Sequence, residues 1–268
     1  MANILKLMVI RGKGIKMKIE RTAGIVLITL GGSVLIYGLI NASQNKVNLG
    51  LAGIFLGIIV LTFKSHGYVK GEALTSLTLP YVKMLQKIVD DLGLEGKALY
   101  IPPYDNLGEG GVFIPLHEDF DLDLGRLDDE TVFLTNVGSE RQMGLSIRPP
   151  GLDLLRKYEE HLGYSLEDSN YKEVESVSSS VLRVLGLAST VYIEEENSDF
   201  NIIVSPTNKD ICRENISHCN QVACPICSSI LLGLAKASNE VVMAENFSFE
   251  KHGIKIKAKK LGGIREWM

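Results

Sequence analysis

No cysteine precedes Cys212 and none follows Cys227, although the chain has 268 residues. No glycine loop of the phosphate-binding or dinucleotide-binding kind is present, and the five histidines fall into no nucleophile arrangement. Internal repeats and low-complexity segments are also missing. Positive charge is scarce after the first turns of the chain. Residues 23–268 hold 22 basic against 31 acidic groups, a balance of −9. Such a surface repels phosphate overall and excludes nucleic acid as a partner. These absences leave no recognisable catalytic constellation and direct attention to binding and location.

What is abundant is apolar sequence. Hydrophobic residues make up 46% of the chain and the mean hydropathy is +0.14, high for a chain with 22% charged residues. The excess is concentrated in two uncharged runs, 23–40 and 49–63, separated by the polar stretch NASQNKVN. A globular core helix carries a polar face, and neither run has one. The reading is a transmembrane hairpin with the lipid bilayer as partner. Gly24, Gly31 and Gly38 recur at a seven-residue spacing, and Gly50, Gly53 and Gly57 form a second small-residue stripe. Such stripes bring helix backbones close, either within the hairpin or between protomers.

Lys6, Arg11, Lys13, Lys16, Lys18 and Arg21 precede the first run, Lys64 and Lys70 follow the second, and the intervening loop has only Lys46. The positive-inside rule then places both termini in the cytoplasm of a cell-membrane protein with two spans. A cleaved signal peptide also starts with a basic segment and an apolar stretch, but here a second apolar run follows at once.

Beyond the hairpin the pattern is α+β, with helices on small, mostly antiparallel sheets. Thr78 and Pro80 predict a helix start, continued by Tyr81, Leu85, Ile88 and Leu92 and ended by Gly93. Short strands follow at KALYIP, GVFIPL, TVFLT and LSIRP. Pro149, Pro150 and Gly151 mark a boundary. After it the order is two helices, the strands TVYIEEE and FNIIVSP, the helix PICSSILLGLAKASN and a closing hairpin. The working division is residues 1–70, 71–150 and 151–268.

Three stretches carry candidate chemistry. Cys212, Cys219, Cys224 and Cys227 are spaced C-x6-C-x4-C-x2-C. In the cytoplasm they are thiols or thiolates, and thiolate donors suit zinc or an iron-sulfur cluster. The gaps match no common metal module, so small buried cysteines at a helix start, or a redox dithiol there, stand beside the metal reading. In HEDFDLDLGRLDDE, Asp119, Asp121, Asp123 and Glu130 fall at ligand positions of a calcium loop, but Leu124 stands where that loop needs glycine. The alternation of Phe120, Leu122 and Leu124 with the acids suits a strand or loop with one wet face. Lys251, Lys255, Lys257, Lys259 and Lys260 read as a solvated strand face, with anionic lipid headgroups as the other reading.

The hairpin layout, followed by "LTLPYVKMLQKIVDDLGLEGKALYIPP" and "GVFIPL", resembles uncharacterised membrane-anchored proteins of archaea over most of the chain. The segment from "CPICSSILLGLAKASNE" onward is similar to the end of 4-vinyl reductase domains, with Cys224, Gly233, Glu245 and Gly253 at matching positions. The later cysteine pair of that pattern is replaced here around Ser248 and Ile256. The resemblance implies a small-molecule-binding module. The expected function is therefore a membrane-anchored, non-enzymatic domain that binds a ligand or protein partner, with a thiolate-metal or redox protein, or a structural partner of another membrane protein, as alternatives.

Overall fold

The structure is a computed structural model that describes residues 22–62, 71–135, 137–196, 199–208, 216–250 and 253–268. The chain forms two compact units, Met1–Val69 and Lys70–Met268.

The first unit is a helical hairpin of α1 (Thr22–Ile40) and α2 (Gln44–Thr62). At 1.5 Å per residue, 19 residues make a rod of about 28 Å, close to the thickness of a bilayer core. α2 starts five residues before its apolar run, because the carbonyl of Ser43 accepts from the N–H groups of Lys46 and Val47 and opens the helix there. The two helices meet through glycine. A Cβ on Gly31 would lie 2.7 Å from the backbone nitrogen of Ile54, so only hydrogen fits. The small-residue stripes thus pack against each other inside the hairpin.

The second unit opens with α3 (Gly71–Asp91). Thr78 and Pro80 are not its start: the helix begins seven residues earlier and keeps Pro80 inside. That costs one intrahelical hydrogen bond. The helix-favouring Glu72, Ala73 and Leu74 extend it past the proline. Eight strands follow: β1 (Leu99–Ile101), β2 (Gly111–Pro115), β3 (Phe133–Leu134), β4 (Gly144–Ile147), β5 (Ala188–Glu196), β6 (Asp199–Pro206), β7 (Glu240–Glu250) and β8 (Gly253–Gly263). Between them lie α4 (Leu152–Leu162), α5 (Tyr171–Val184) and α6 (Pro225–Ser238).

The α+β reading holds and every strand pair is antiparallel, but the strands form one sheet in the order β3-β4-β2-β1-β7-β8-β6-β5. Leu99 lies opposite Met243, so β1 and β7 join strands from either side of Pro149 and Gly151 into a single surface. The prolines mark a change from strands to helices inside one compact unit.

Alternation along the strands separates two cores. Tyr100, Val112, Ile193, Ile202 and Ile256 face a large cluster with Val82 and Val89 of α3, Leu155 of α4, Val174 of α5 and Ile230 of α6. Leu99, Ile101, Phe113 and Val241 face the other way and are covered by Leu122, Leu124 and Leu127. The stretch predicted as a strand or loop is thus a lid over the second sheet face, with a short 3-10 turn at Leu124–Arg126.

Candidate functional site

α6 begins where the cysteines gather. Cys224 is its N-cap residue, Pro225 takes the first helical position and Cys227 lies in the first turn. Proline is suited to that position because its missing N–H would have had no helical partner. Cys219 lies in the turn before the helix, held there from both sides. Gln221 donates through Nε2 to the carbonyls of Leu94 and Gly96 at 2.7 and 3.1 Å, and Ala98 N–H donates to Asn220 O at 2.8 Å. All three cysteines are buried and no disulfide joins them. Cys212 lies outside the described residues. Among the described residues, no three donors stand close enough together to hold a metal ion.

Two tyrosines converge on the same helix start. Tyr100 of β1 hydrogen-bonds Ser228, and Gly151 N–H donates to Ser228 Oγ at 3.2 Å. Tyr158 of α4 shares a 2.7 Å hydrogen bond with Ser229 Oγ, which also donates to Ile226 O at 2.7 Å. The approach of Gly151 is so close that a Cβ there would lie 2.0 Å from Ser229 N.

Electrostatics follows from this burial. Desolvation pushes the Tyr100 phenol up, against the opposing hydrogen bond from Ser228, and Cys227, Cys224 and Cys219 all lie close enough to push it further. Tyr158 is raised by desolvation too, with Cys227 and Cys224 adding to it. Burial lifts the Cys219 thiol to about 12, helped by neighbouring Cys224. A thiol so placed keeps its proton at neutral pH and is a poor nucleophile. A soft metal would have to displace the proton to bind it.

Most of the other sequence candidates are occupied structurally. Asp119 pairs with Arg141 at 2.5 Å, Asp121 accepts from Gln142 at 3.1 Å, and Asp123 caps the 3-10 turn and pairs with Arg126. Their carboxylates therefore serve separate partners. Lys257 pairs with Glu245 at 2.9 Å and Asp199 at 3.4 Å, Lys255 with Glu250, and Lys260 with Glu195 and Glu240. Lys255, Lys257 and Lys260 thus form ion pairs, while Lys259 has none among the described residues. Lys251 lies outside the described residues.

Of the residues from which a resemblance to 4-vinyl reductase domains was expected, Gly233 lets α6 approach Val174 and Leu155, and Glu245 is the Lys257 partner; the family match given below does not bear on that resemblance. Gly253 turns the last hairpin at φ 158°, where a Cβ would lie 2.1 Å from Val204 O. The residues that sequence reasoning missed are Tyr100, Tyr158, Ser228 and Ser229. The adjacent serines in the PICSS stretch were their one visible trace.

No curated protein and no solved structure matches the chain. The model of one family, described as "Domain of unknown function (DUF7982)", matches residues 12–255, and the chain belongs to that family.

Proposed function

We propose that this is a membrane-anchored protein whose hairpin spans the bilayer of the cell membrane, both termini cytoplasmic, and whose α+β unit is a non-enzymatic binding domain. The observation that carries the anchor is the inverted burial of the hairpin. Among its described residues the buried ones are Gly24, Gly31, Gly38, Gly50 and Gly57, while Leu30, Ile36, Leu39, Leu49, Phe55 and Leu56 point outward. A hairpin stable in water buries its large side chains; in lipid, which solvates them, helices associate through small residues. The hydroxyls of Thr29, Ser33 and Thr62 donate back to carbonyls of their own helices, as donors facing lipid must. Lys46 lies 4.5 Å over the Tyr37 ring at the turn, an aromatic and cationic pair suited to the headgroup level. The residues that set orientation, Lys6 to Arg21 with Lys64 and Lys70, lie outside the described residues, so orientation rests on the sequence.

The test is carbonate extraction of membranes carrying the full chain, with thiol labelling of an Ala42→Cys variant from each side. Retention in the pellet and labelling from the outer side are expected. Release into the supernatant sinks the anchor, and labelling of the turn from the cytoplasmic side alone sinks the orientation.

A second reading has one specific observation in its favour. Cys219, Cys224 and Cys227 converge on Tyr100 although Cys219 is outside the helix. A thiolate site for zinc or an iron-sulfur cluster would need these three to draw closer together, since as they lie no three donors among the described residues can hold a metal ion, and Cys212 as the fourth lies outside the described residues. Metal analysis and an anaerobic absorption spectrum test it; a folded chain purified without metal removes it.

A further inference from the structure

α3 carries apolar side chains on two of its sides. Val82, Leu85 and Val89 are buried in the large core. The sequence pattern puts Tyr81, Ile88 and Leu92 on that same face, but the helix turns them away from it. Tyr81 is 44% exposed, Leu92 41% and Met84, which lies between them, 53%, while Ile88 is only partly buried. A helix that is apolar on more than one side is one that gets covered on more than one side.

The spacing of the outer set is specific. Tyr81, Met84 and Ile88 stand at steps of three and four, and upstream in the sequence Leu77 and Leu74 continue the same alternation of four and three. A mean period of 3.5 residues draws the narrow seam along which two helices pack in a coiled coil. In that register Tyr81 and Ile88 are at a positions and Met84 is at d. A β-branched residue at a suits a two-stranded pairing, and the unbranched Met84 adapts to gaps beside the tyrosine. Asp91 is the next d position and ends the seam, with Leu92 on its flank.

Two observations select the occupant. A helix that lies on lipid headgroups has a polar face rich in lysine and arginine, whereas α3 sets Lys83 and Lys87 against Glu72, Asp90 and Asp91. The second observation is the length of the tether. Eight residues, 63–70, separate Thr62 of α2 from Gly71 of α3, a span of at most about 30 Å even when fully extended. With the hairpin in the bilayer, every copy starts α3 within that reach of the same membrane surface, and the tethered end is always the N-terminal one. Two copies therefore offer each other the same seam from the same end, which lowers the orientational cost that a seam this short has to overcome.

We infer that α3 docks on α3 of a second copy of this chain, parallel and in register, with Tyr81, Met84 and Ile88 of each helix along the seam. The pairing is isologous, each residue meeting its own counterpart. Its parallel direction rests on the reading of the hairpin as a membrane anchor.

The test is disulfide cross-linking of the full chain in membranes, with Tyr81→Cys, Ile88→Cys and, on another side of α3, Lys83→Cys. The parent chain controls for the native cysteines. Dimers are expected from Tyr81→Cys and from Ile88→Cys, with Lys83→Cys at the level of the parent. Energy transfer between labelled copies in liposomes then measures association as lipid is added. Met84→Glu puts an unpaired charge in the seam and should weaken association about tenfold or more, while Met84→Leu should keep it. Circular dichroism confirms that the variants are folded. Equal cross-linking at all three positions, dimers from none, or unchanged association in Met84→Glu overturns the inference. Dimers from only one of Tyr81→Cys and Ile88→Cys overturn the parallel register. Quenching of a probe on Met84→Cys by brominated lipid tails makes lipid the occupant and overturns it too. A chain released by carbonate extraction fails the anchor, and a chain that stays in the pellet but fails these tests fails the docking alone.

Discussion

The carboxylate of Glu175 accepts a hydrogen bond from the backbone N–H of Ile193 at 2.8 Å. It is the first rung of a ladder. Val191 N–H donates to Ser179 Oγ at 3.4 Å, and Arg183 Nε donates to Ser189 O at 3.0 Å. Four residues of helix rise about 6.0 Å and two residues of strand about 6.6 Å, so every fourth side chain of α5 meets every second backbone group of β5. β5 is an edge strand of nine residues, and such edges invite pairing with other chains. The stripe on α5 takes the place of a ninth strand.

Glu175→Ala should leave the Ile193 N–H unmatched and lower stability by about 1 to 2 kcal/mol. It should also promote self-association through β5. Glu175→Gln keeps an acceptor and should stay close to the parent. Urea unfolding and light scattering on the detergent-solubilised chain measure both effects. An alanine variant equal to the parent in both would show that solvent protects the edge as well as the carboxylate does.

Two adjacent glycines of α1 should respond in opposite ways. Gly31→Ala puts a methyl group 2.7 Å from Ile54 N and must push the helices apart, costing about 1 to 3 kcal/mol. Gly32 has nothing within 4 Å, and alanine there should be neutral or gain up to about 1 kcal/mol of helix stability. Unfolding of the hairpin by titrated detergent reports the difference. Equal effects at the two positions would contradict the packing described for the hairpin.

Alkaline pH should destabilise the second unit. The Cys219 thiol is held at about 12 in the fold against an ordinary 9.0. Above pH 9 the unfolded chain gives up that proton while the folded chain keeps it, so the unfolded state binds fewer protons and stability falls. Its contribution is constant below pH 9 and declines up to pH 12, and the raised Tyr100 and Tyr158 add to the decline above about pH 10. Denaturant unfolding should show a loss of roughly 2 kcal/mol from Cys219 between about pH 9 and 10.5. Cys219→Ala should flatten part of that slope, and an unchanged slope would mean the thiol is not the titrating group.

The Tyr158 and Ser229 hydroxyls should be coupled. Ser229→Ala strips a partner from a buried phenol and should cost about 1 to 3 kcal/mol. Tyr158→Phe combined with it removes both polar ends, so the double variant should lose less than the sum of the two single ones. Strict additivity in a double-mutant cycle would show that the 2.7 Å contact carries no energy of its own.

Elements whose period is local were legible. α4, α5 and α6 and the four strands β5 to β8 follow from residues that repeat every three to four or every two positions. Their assembly into one sheet was hidden, because nothing near Leu99 announces Met243 as its neighbour. The start of α3 was misplaced for a related reason: Thr78 and Pro80 form a sound local signal, and helix propensity further upstream overrides it.

The cysteine cluster was visible as a crowding of residues in sequence. Its surroundings were not, since Tyr100 and Tyr158 come from β1 and α4 and meet α6 only in the folded chain.

The place of β7 between β1 and β8 also sets an order of events during synthesis. β1, β2 and β4 leave the ribosome long before Glu240 does, and until then one long side of β1 has no companion. At bacterial-like elongation speeds that wait is on the order of ten seconds or more. For that interval the nascent chain carries an open strand of apolar sequence, and any release before residue 240 would leave it permanently so.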